Sequence, residues 1–524
     1  MKRRNKILLA TVAIVVVAIL VSVIHHFQLK AAVNRYKAEL KAKGEPMDLA
    51  QVLPPFVPPE QNSVKSFLKA IVLLQQNETF LRTNPILGKQ MVAWGKAMIS
   101  AVQPDVREVG QFGFTNSWSD ADAAVRQNAE ALALLRGIMN RPKLDFHILY
   151  EKGFVDGTFF TNLHLVELKK SALLLSSAAM ADLHHGDAGA AVKNVRAALT
   201  LASAMQDQRL IISELVRIAM VSNAHSPTWE ILQSASVTEN DLVGLQNNWE
   251  NLDFVKGYKN ALAMEWACGE STLAQWRTSN TELKKYLELL GAARLSFGTE
   301  DTSDKPTFFE RAKLSTKIFL WRYWWSYPDE LRCLRGSEVL AETSRGAETN
   351  SAFAGLFKLQ QAKLETLGIN KFEDKLANPF SLIDEPDFHS MLSESVKTLG
   401  NSFKRVISTE TMKRMTITAI ALKRYQLKNG NYPASLKLLT PEFISAVPLD
   451  PVDGQPLRYR LNADGTFLLY SIGENGKDDG GNPALEKDIE SSSFGWQNPH
   501  ALDWVWPQPA TDAEIKFFNE HPPK

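Results

Sequence analysis

The spacing of apolar residues changes three times along the chain, and each change marks a different kind of segment. Ile7 to Ile24 is an uncharged, predominantly apolar run of 18 residues. As a helix it would rise about 27 Å at ~1.5 Å per residue, close to the ~30 Å of bilayer hydrocarbon, which predicts a transmembrane helix. Ala31 to Lys43 is charged and helix-favouring, and five prolines then fall between Pro46 and Pro59. Proline at that density breaks helices, so this stretch reads as an extended spacer. From Gln61 to about Gly400 apolar residues recur at intervals of three and four, the signature of helices with one buried face. A further long helix is predicted from near Ser408 to Gly430, where glycine supplies a C-terminal stop. Beyond it a Pro-punctuated turn leads into a small β-meander that ends in an acidic, glycine-rich loop. The expected fold is mainly α with a C-terminal α+β domain. Its parts are a basic tip and anchor (1–30), a helix and spacer (31–60), an α-helical domain (61–400) and an α+β domain (401–524).

Charge fixes the expected topology. Lys2, Arg3, Arg4 and Lys6 precede the apolar run, and the positive-inside rule keeps that end in the cytoplasm while the remainder is exported. The run is longer than a usual signal-peptide core, and VSVIHHF offers no A-x-A cleavage site, so the reading is an uncleaved signal anchor. The expected location is the inner membrane, in a single pass through residues 7–24, with the bulk in the periplasm. Across the chain, 59 basic residues balance 58 acidic ones for a formal charge of +1. No global field draws it to nucleic acid. Cys268 and Cys333 are the only cysteines. They form either a disulfide in an oxidising compartment or two separate thiols, and lack the CxxC spacing of a redox or zinc site.

Within the helical region, Ala172 to Met205 reads as one antiparallel hairpin. Leu175, Ala178 and Ala179 line the first helix, Gly186 and Asp187 make the turn, and Ala191, Val195 and Ala198 line the second. Small residues at these points let two helices approach closely. The unit resembles a single tetratricopeptide-type hairpin; it has no second copy at that period, which leaves a scaffold without a peptide groove. Six of 12 tryptophans lie between Trp249 and Leu340, and the cluster LWRYWWSYP reads as packing in preference to an exposed binding surface. Residues 299–307, TEDTSDKPT, read as a surface loop.

Residues 423–481 read Y-x4-G-x-YP-x2-L-x2-L, then VP-x-DP-x-x-G-x-P-x-x-Y, then DG-x-F-x-LYS-x-G-x-x-G-x-DDGG. This order resembles the C-terminal domain of the type II secretion system major pseudopilin. The resemblance implies that the stripe Met415, Ala419, Leu422 packs on a sheet formed by residues 457–461 and 467–471. It also implies calcium in the loop Ser471–Gly481, held by Asp478 and Asp479 with Asp488 or Asp503 as a later ligand, since calcium takes hard oxygen donors on a sharply bent backbone. A metal-free acidic turn is the alternative. Partners in a secretion apparatus follow from the same likeness. The N-terminus, however, has neither the cleavage-point glycine nor the following glutamate of a pseudopilin, which argues against filament assembly.

Catalytic signatures are missing from the sequence: it has no GxSxG elbow, no GxxxxGK[ST] phosphate loop and no GxGxxG after a strand. His164, Glu167, His184, His185 and Glu214 have no metal-ligand spacing, because the adjacent histidines sit at a helix turn. A membrane-anchored structural or interaction protein is the expected function. A component of a secretion or pilus-like apparatus, and a periplasmic enzyme with its site between Phe154 and Glu270, are the alternatives.

Overall fold

The computed structural model describes residues 2–76, 88–104, 108–109, 115–155, 163–284, 315–369, 392–485, 498 and 500–521, with backbone only at 2–10 and at a few other positions. The first element is one uninterrupted helix, α1 (Lys2–Ala42). Its second half packs on the body through Val33 and Leu40, seven positions apart on one face, against Met47, Trp266 and Leu334. Its first half projects, with Val12, Ile14, Val17, Leu20, Val21 and Ile24 exposed. Among the described residues no helix is long and apolar enough to cross a membrane. The span expected at 7–24 takes in residues 7–10, 15, 18 and 19, whose side chains lie outside the described residues. The expected surface loop at 299–307 lies outside them too.

Helices then follow in close succession: α2 (Val64–Gln76), α3 (Trp118–Gln127), α4 (Ala129–Gly137), α5 (Leu165–His184), α6 (Ala188–Ala204), α7 (Ile211–Gln233), α8 (Glu239–Glu250) and α9 (Phe254–Thr278). The hairpin expected at Ala172–Met205 is α5 and α6. Gly186 takes the left-handed conformation at φ 81°, and Asp187 caps α6 by accepting from the Ala190 N–H at 2.8 Å. Alanines and serines line the contact, so α5, α6 and α7 pack closely on one another. Next come α10 (Ser326–Thr349), α11 (Phe353–Thr366) and α12 (Ser393–Asn429).

The helix α12 is the axis of the molecule. It touches α7, α8, α9, α10 and α11 and, on another side, the C-terminal sheet. It is buried over most of its length despite being rich in hydroxyls, because Thr409, Thr411, Thr416 and Thr418 each donate to the carbonyl four residues back at 2.7–2.9 Å. Each hydroxyl is thus satisfied within its own helix, and the methyl is left to pack. The helix ends at Gly430, as expected, with φ 81° and its N–H on Gln426 O at 2.8 Å. It begins well before Ser408, and residue 400, the expected domain boundary, lies inside it.

Two three-stranded sheets complete the body, beside a two-residue pairing of Glu108–Val109 with Thr115–Asn116 among the described residues. In one, β3 (Arg458–Leu461), β4 (Phe467–Ser471) and β5 (Trp504–Val505) are antiparallel in that order, with Arg458 opposite Tyr470 and Leu461 opposite Phe467. Met415, Ala419 and Leu422 are buried in one core cluster with Leu457 and Leu469. In the other sheet, β1 (Gln90–Ala93) and β2 (Lys96–Met98) form a hairpin, and β6 (Gln508–Pro509) lies parallel to β2, with Lys96 opposite Gln508. A last helix, α13 (Asp512–Glu520), is opened by a Thr511–Glu514 capping box. The C-terminal segment thereby closes over the helical region. Trp229 of α7, fully buried, donates its indole N–H to Pro507 O at 2.9 Å.

That bond makes Trp229 a test of the closure. Trp229→Phe keeps most of the ring volume but orphans a buried carbonyl, and should cost roughly 1–3 kcal/mol. Trp229→Ala should cost roughly 3–5 kcal/mol. Denaturant unfolding followed by circular dichroism measures both, and a Phe variant as stable as wild type would show that the segment is held by its strand pairing alone.

Candidate functional site

The acidic loop comes together around an arginine. Asp450 is fully buried and accepts from Val452 N–H at 3.0 Å, Ser471 Oγ at 2.8 Å and Ile472 N–H at 3.1 Å. The Arg458 guanidinium lies 3.2 Å from Asp450, 2.5 Å from Asp453 and 3.5 Å from Asp478. Burial lifts the Asp450 carboxyl above its ordinary range, opposed by those hydrogen bonds. Asp478 also accepts from Tyr470 OH and from the Gly480 N–H. Asp503 is buried, and both of its oxygens accept backbone N–H bonds, from Asp479 on one and from Gly481 and Asn482 on the other. Asp479 pairs with Asn475 Nδ2 at 2.9 Å.

Calcium takes six to eight oxygens; of the carboxylates expected for it, Asp478 accepts from the Tyr470 phenol and the Gly480 N–H and lies 3.5 Å from Arg458, and Asp503 accepts from three backbone amides. Among the described residues no group of three or more His, Cys, Asp or Glu is placed to hold a metal ion. Asp488 lies outside the described residues.

The histidines considered for a metal are dispersed. His184 stacks on Trp118 with centroids 4.1 Å apart and its Nδ1 is 2.9 Å from Ala101 O. His185 pairs with Asp122. His164 precedes α5 beside Phe146, and Glu214 is buried against Arg217. Cys268 and Cys333 are separate thiols. Burial pushes the Cys268 thiol up to about 12, so little thiolate exists near neutrality.

A different titratable cluster escaped the sequence reading. Lys89, His225 and Glu230 are brought together where β1 meets α7, at 8%, 1% and 2% exposure. Gly88 and Lys89 both adopt positive φ. A side chain at Gly88 would strike Met180 and Glu230 at under 3 Å, so only glycine allows this approach. Glu230 accepts from Lys89 N–H at 2.7 Å, Ser100 N–H at 2.8 Å and Ala101 N–H at 3.4 Å. Lys89 Nζ sits 2.9 Å from His225 Nδ1. Burial lowers Lys89 to about 7, although Glu230 pulls it up. Burial, with Lys89 beside it, holds His225 well below its ordinary value. Burial raises Glu230 to about 7 against the three amide bonds. Such values suit proton transfer, but all three groups are sealed from solvent, so the arrangement ties β1 and the turn at Ser100 to α7.

The fourth constellation holds α1. Lys37 forms ion pairs with Glu270 of α9 and, at 2.5 Å, with Glu330 of α10. Glu330, 1% exposed, also receives Arg277 of α9 at 2.6 Å. Arg277 in turn lies over the Tyr327 ring at 3.9 Å. Glu338 takes Tyr36 OH and, at 2.6 Å, Lys43. Glu45, just beyond the helix, pairs with Arg345 at 2.8 Å. Burial pulls the Lys37 ammonium down, but Glu270 and Glu330 outweigh it and leave Lys37 above its ordinary value. The charged half of α1 is thus locked to α9 and α10, and its direction out of the body is fixed.

No protein-family model, curated protein or solved structure matches this chain.

The Lys89 cluster gives a pH signature. A carboxyl whose folded value is raised from 4.5 to about 7 holds its proton in the native state across that window and releases it in the unfolded state. Its stabilising contribution is complete below 4.5 and is lost as pH rises towards 7. Glu230→Gln, permanently neutral, should remove that loss, so wild type should fall by roughly 3 kcal/mol relative to the variant over the window. Urea midpoints measured at intervals of pH check this. Parallel pH profiles would show that the amide bonds keep Glu230 ionised throughout.

Proposed function

We propose that this chain is a membrane-anchored structural or interaction protein, with residues 7–24 crossing the inner membrane, the basic tip in the cytoplasm and the body in the periplasm. The observation that carries the reading is the division of α1. One half is clamped to α9 and α10 by buried charge, while the described apolar side chains of the other half face away from the body, including Ile14 at 69% exposure and Val21 at 59%. Exposed apolar surface of that extent on one projecting helix calls for an apolar environment, and the 18-residue run supplies the length for a bilayer. A rigid helix through the clamp makes the body an extension of the anchor.

The pseudopilin resemblance supports an interaction role at the C-terminal region. The expected packing of the α12 stripe near β3 and β4 favours it, and so does the stop at Gly430. The opposite side of α12 is covered by α7 to α11, so this helix has no spare apolar face for polymer packing. A component associated with a type II secretion apparatus is the second reading. The enzyme alternative draws no support from the Lys89 cluster, which no substrate reaches without local opening.

Compartment-sensitive reporters fused after Lys43 and after Lys524 should both report export, and the protein should stay with membranes through a high-salt wash. A cytoplasmic signal from either fusion overturns the topology. Glu330→Gln leaves Lys37 and Arg277 without their shared buried counter-charge and should cost about 3 kcal/mol or more. Membrane retention of that variant should be unchanged, because attachment lies in residues 7–24 and not in the clamp.

A further inference from the structure

A second apolar surface lies beside α1. Residues 315–320 are helical and run without interruption through a π-helical turn, Trp321–Trp325, into α10. The wider turn advances each side chain less than an α-turn does, so residues that would diverge are gathered on one side. Phe319, Tyr323 and Trp324 point outward, at 53%, 47% and 38% exposure. Their rings touch one another, with Phe319 4.8 Å from Tyr323 and 5.9 Å from Trp324. Trp321 points inward and is buried with Leu273, Trp276 and Ile318. The exposed aromatics therefore stand on a packed base.

Their position relative to α1 is set by His26. Its Nδ1 is 2.9 Å from Tyr323 O, and its ring meets Tyr327 edge-on at 5.1 Å. Phe27, next along α1, is 62% exposed. The aromatic group therefore sits level with residues 26 and 27, about 3–5 Å along the helix axis beyond Ile24, where the apolar run stops. In a bilayer spanned by residues 7–24 this level is the boundary between acyl chains and headgroups, where tyrosine and tryptophan place an apolar ring and a polar tip.

We propose that Phe27, Phe319, Tyr323 and Trp324 form a lipid-binding shelf that enters the headgroup boundary of the periplasmic leaflet. The occupant is the bilayer and not a second protein, because Tyr323 adjoins His26 of α1, next to the exposed Phe27, at a height that matches the end of the run. The inference rests on the anchor reading. The anchor alone leaves the body free to rotate about α1, whereas the shelf adds a second contact off the axis and fixes one face towards the membrane.

Spin labels test this in the full chain reconstituted into phosphatidylcholine–phosphatidylglycerol bilayers, with Cys268 and Cys333 replaced by alanine. Labels are placed singly by Leu20→Cys, Phe319→Cys, Trp324→Cys and Leu438→Cys, all at exposed positions. Collisions with oxygen, which enters lipid, are compared with those of a water-soluble nickel chelate. Position 20 should be deep in lipid, 319 and 324 at intermediate depth, and 438 aqueous. If 20 is deep but 319 and 324 behave like 438, the shelf is wrong and the anchor stands. Labels at 319 and 324 shielded from both reagents would mean a protein covers them, which also overturns the proposal. An aqueous label at 20 overturns the anchor and the shelf together. Unfolding curves matching the unlabelled parent confirm that each variant is folded.

Discussion

Two long helices of this protein, α7 and α12, are started by carboxylates borrowed from elsewhere in the chain. A helix leaves its first N–H groups without partners, and a polar residue at the N-cap ordinarily meets them. Here α12 is preceded by Leu392 and α7 by Leu210, neither of which caps. Asp329 of α10 supplies the first cap, accepting from Leu392 N–H at 2.7 Å and from Ser393 N–H at 3.1 Å. Glu265 of α9 supplies the second at Ile211 N–H, 3.1 Å away. Glu410 of α12 reaches Phe254 N–H at the head of α9, and Glu230 of α7 serves the turn at Ser100. When ionised, Asp329, Glu265 and Glu410 also meet the positive end of a helix dipole, which offsets part of their desolvation. The helices are therefore not separable units, since α10 starts α12, α12 helps to start α9, and α9 starts α7.

That arrangement explains what the sequence disclosed and what it concealed. The α5–α6 hairpin was legible because its signals are local: small residues at helical spacing, a glycine in the left-handed region and an aspartate immediately after it. The end of α12 at Gly430 and the strands near 458–461 and 467–471 were legible for the same reason. The start of α12 was not. Its cap comes from a residue 64 positions earlier, so the expectation placed the helix near Ser408, fifteen residues late. The strands β1, β2 and β6 are two to four residues long, too short to show alternation, and their pairing joins segments from opposite ends of the body.

The candidate sites divide along the same line. Asp503 does come beside the loop of Asp478 and Asp479, accepting from the Asp479 N–H, but Arg458 was read only as part of a strand. Its guanidinium lies 3.5 Å from Asp478 and pairs with Asp450 and Asp453, contacts that the carboxylates alone did not disclose. The Lys89 cluster spans 136 and 141 positions to its partners, and the one local hint was Gly88, a lone glycine before a short apolar run. The clamp on α1 was equally hidden. Lys37 and Lys43 fall in a stretch read only as charged and helix-favouring, and only the fold brings Glu270, Glu330 and Glu338 to them across the sequence.

The strand β6 bears on the order in which the molecule can be made. A chain delivered across a membrane from one end presents β1 and β2 long before residues 507–510 arrive. Until they do, β2 has a bare edge, the Trp229 indole lacks its carbonyl, and the surface above α7 stands open to water. Early emerging helices can collapse, but the last bonds of their own core belong to the segment that emerges latest. Vectorial delivery therefore leaves the helical body unfinished until nearly the whole described chain is through, and unpaired edges must be kept from other chains for that interval.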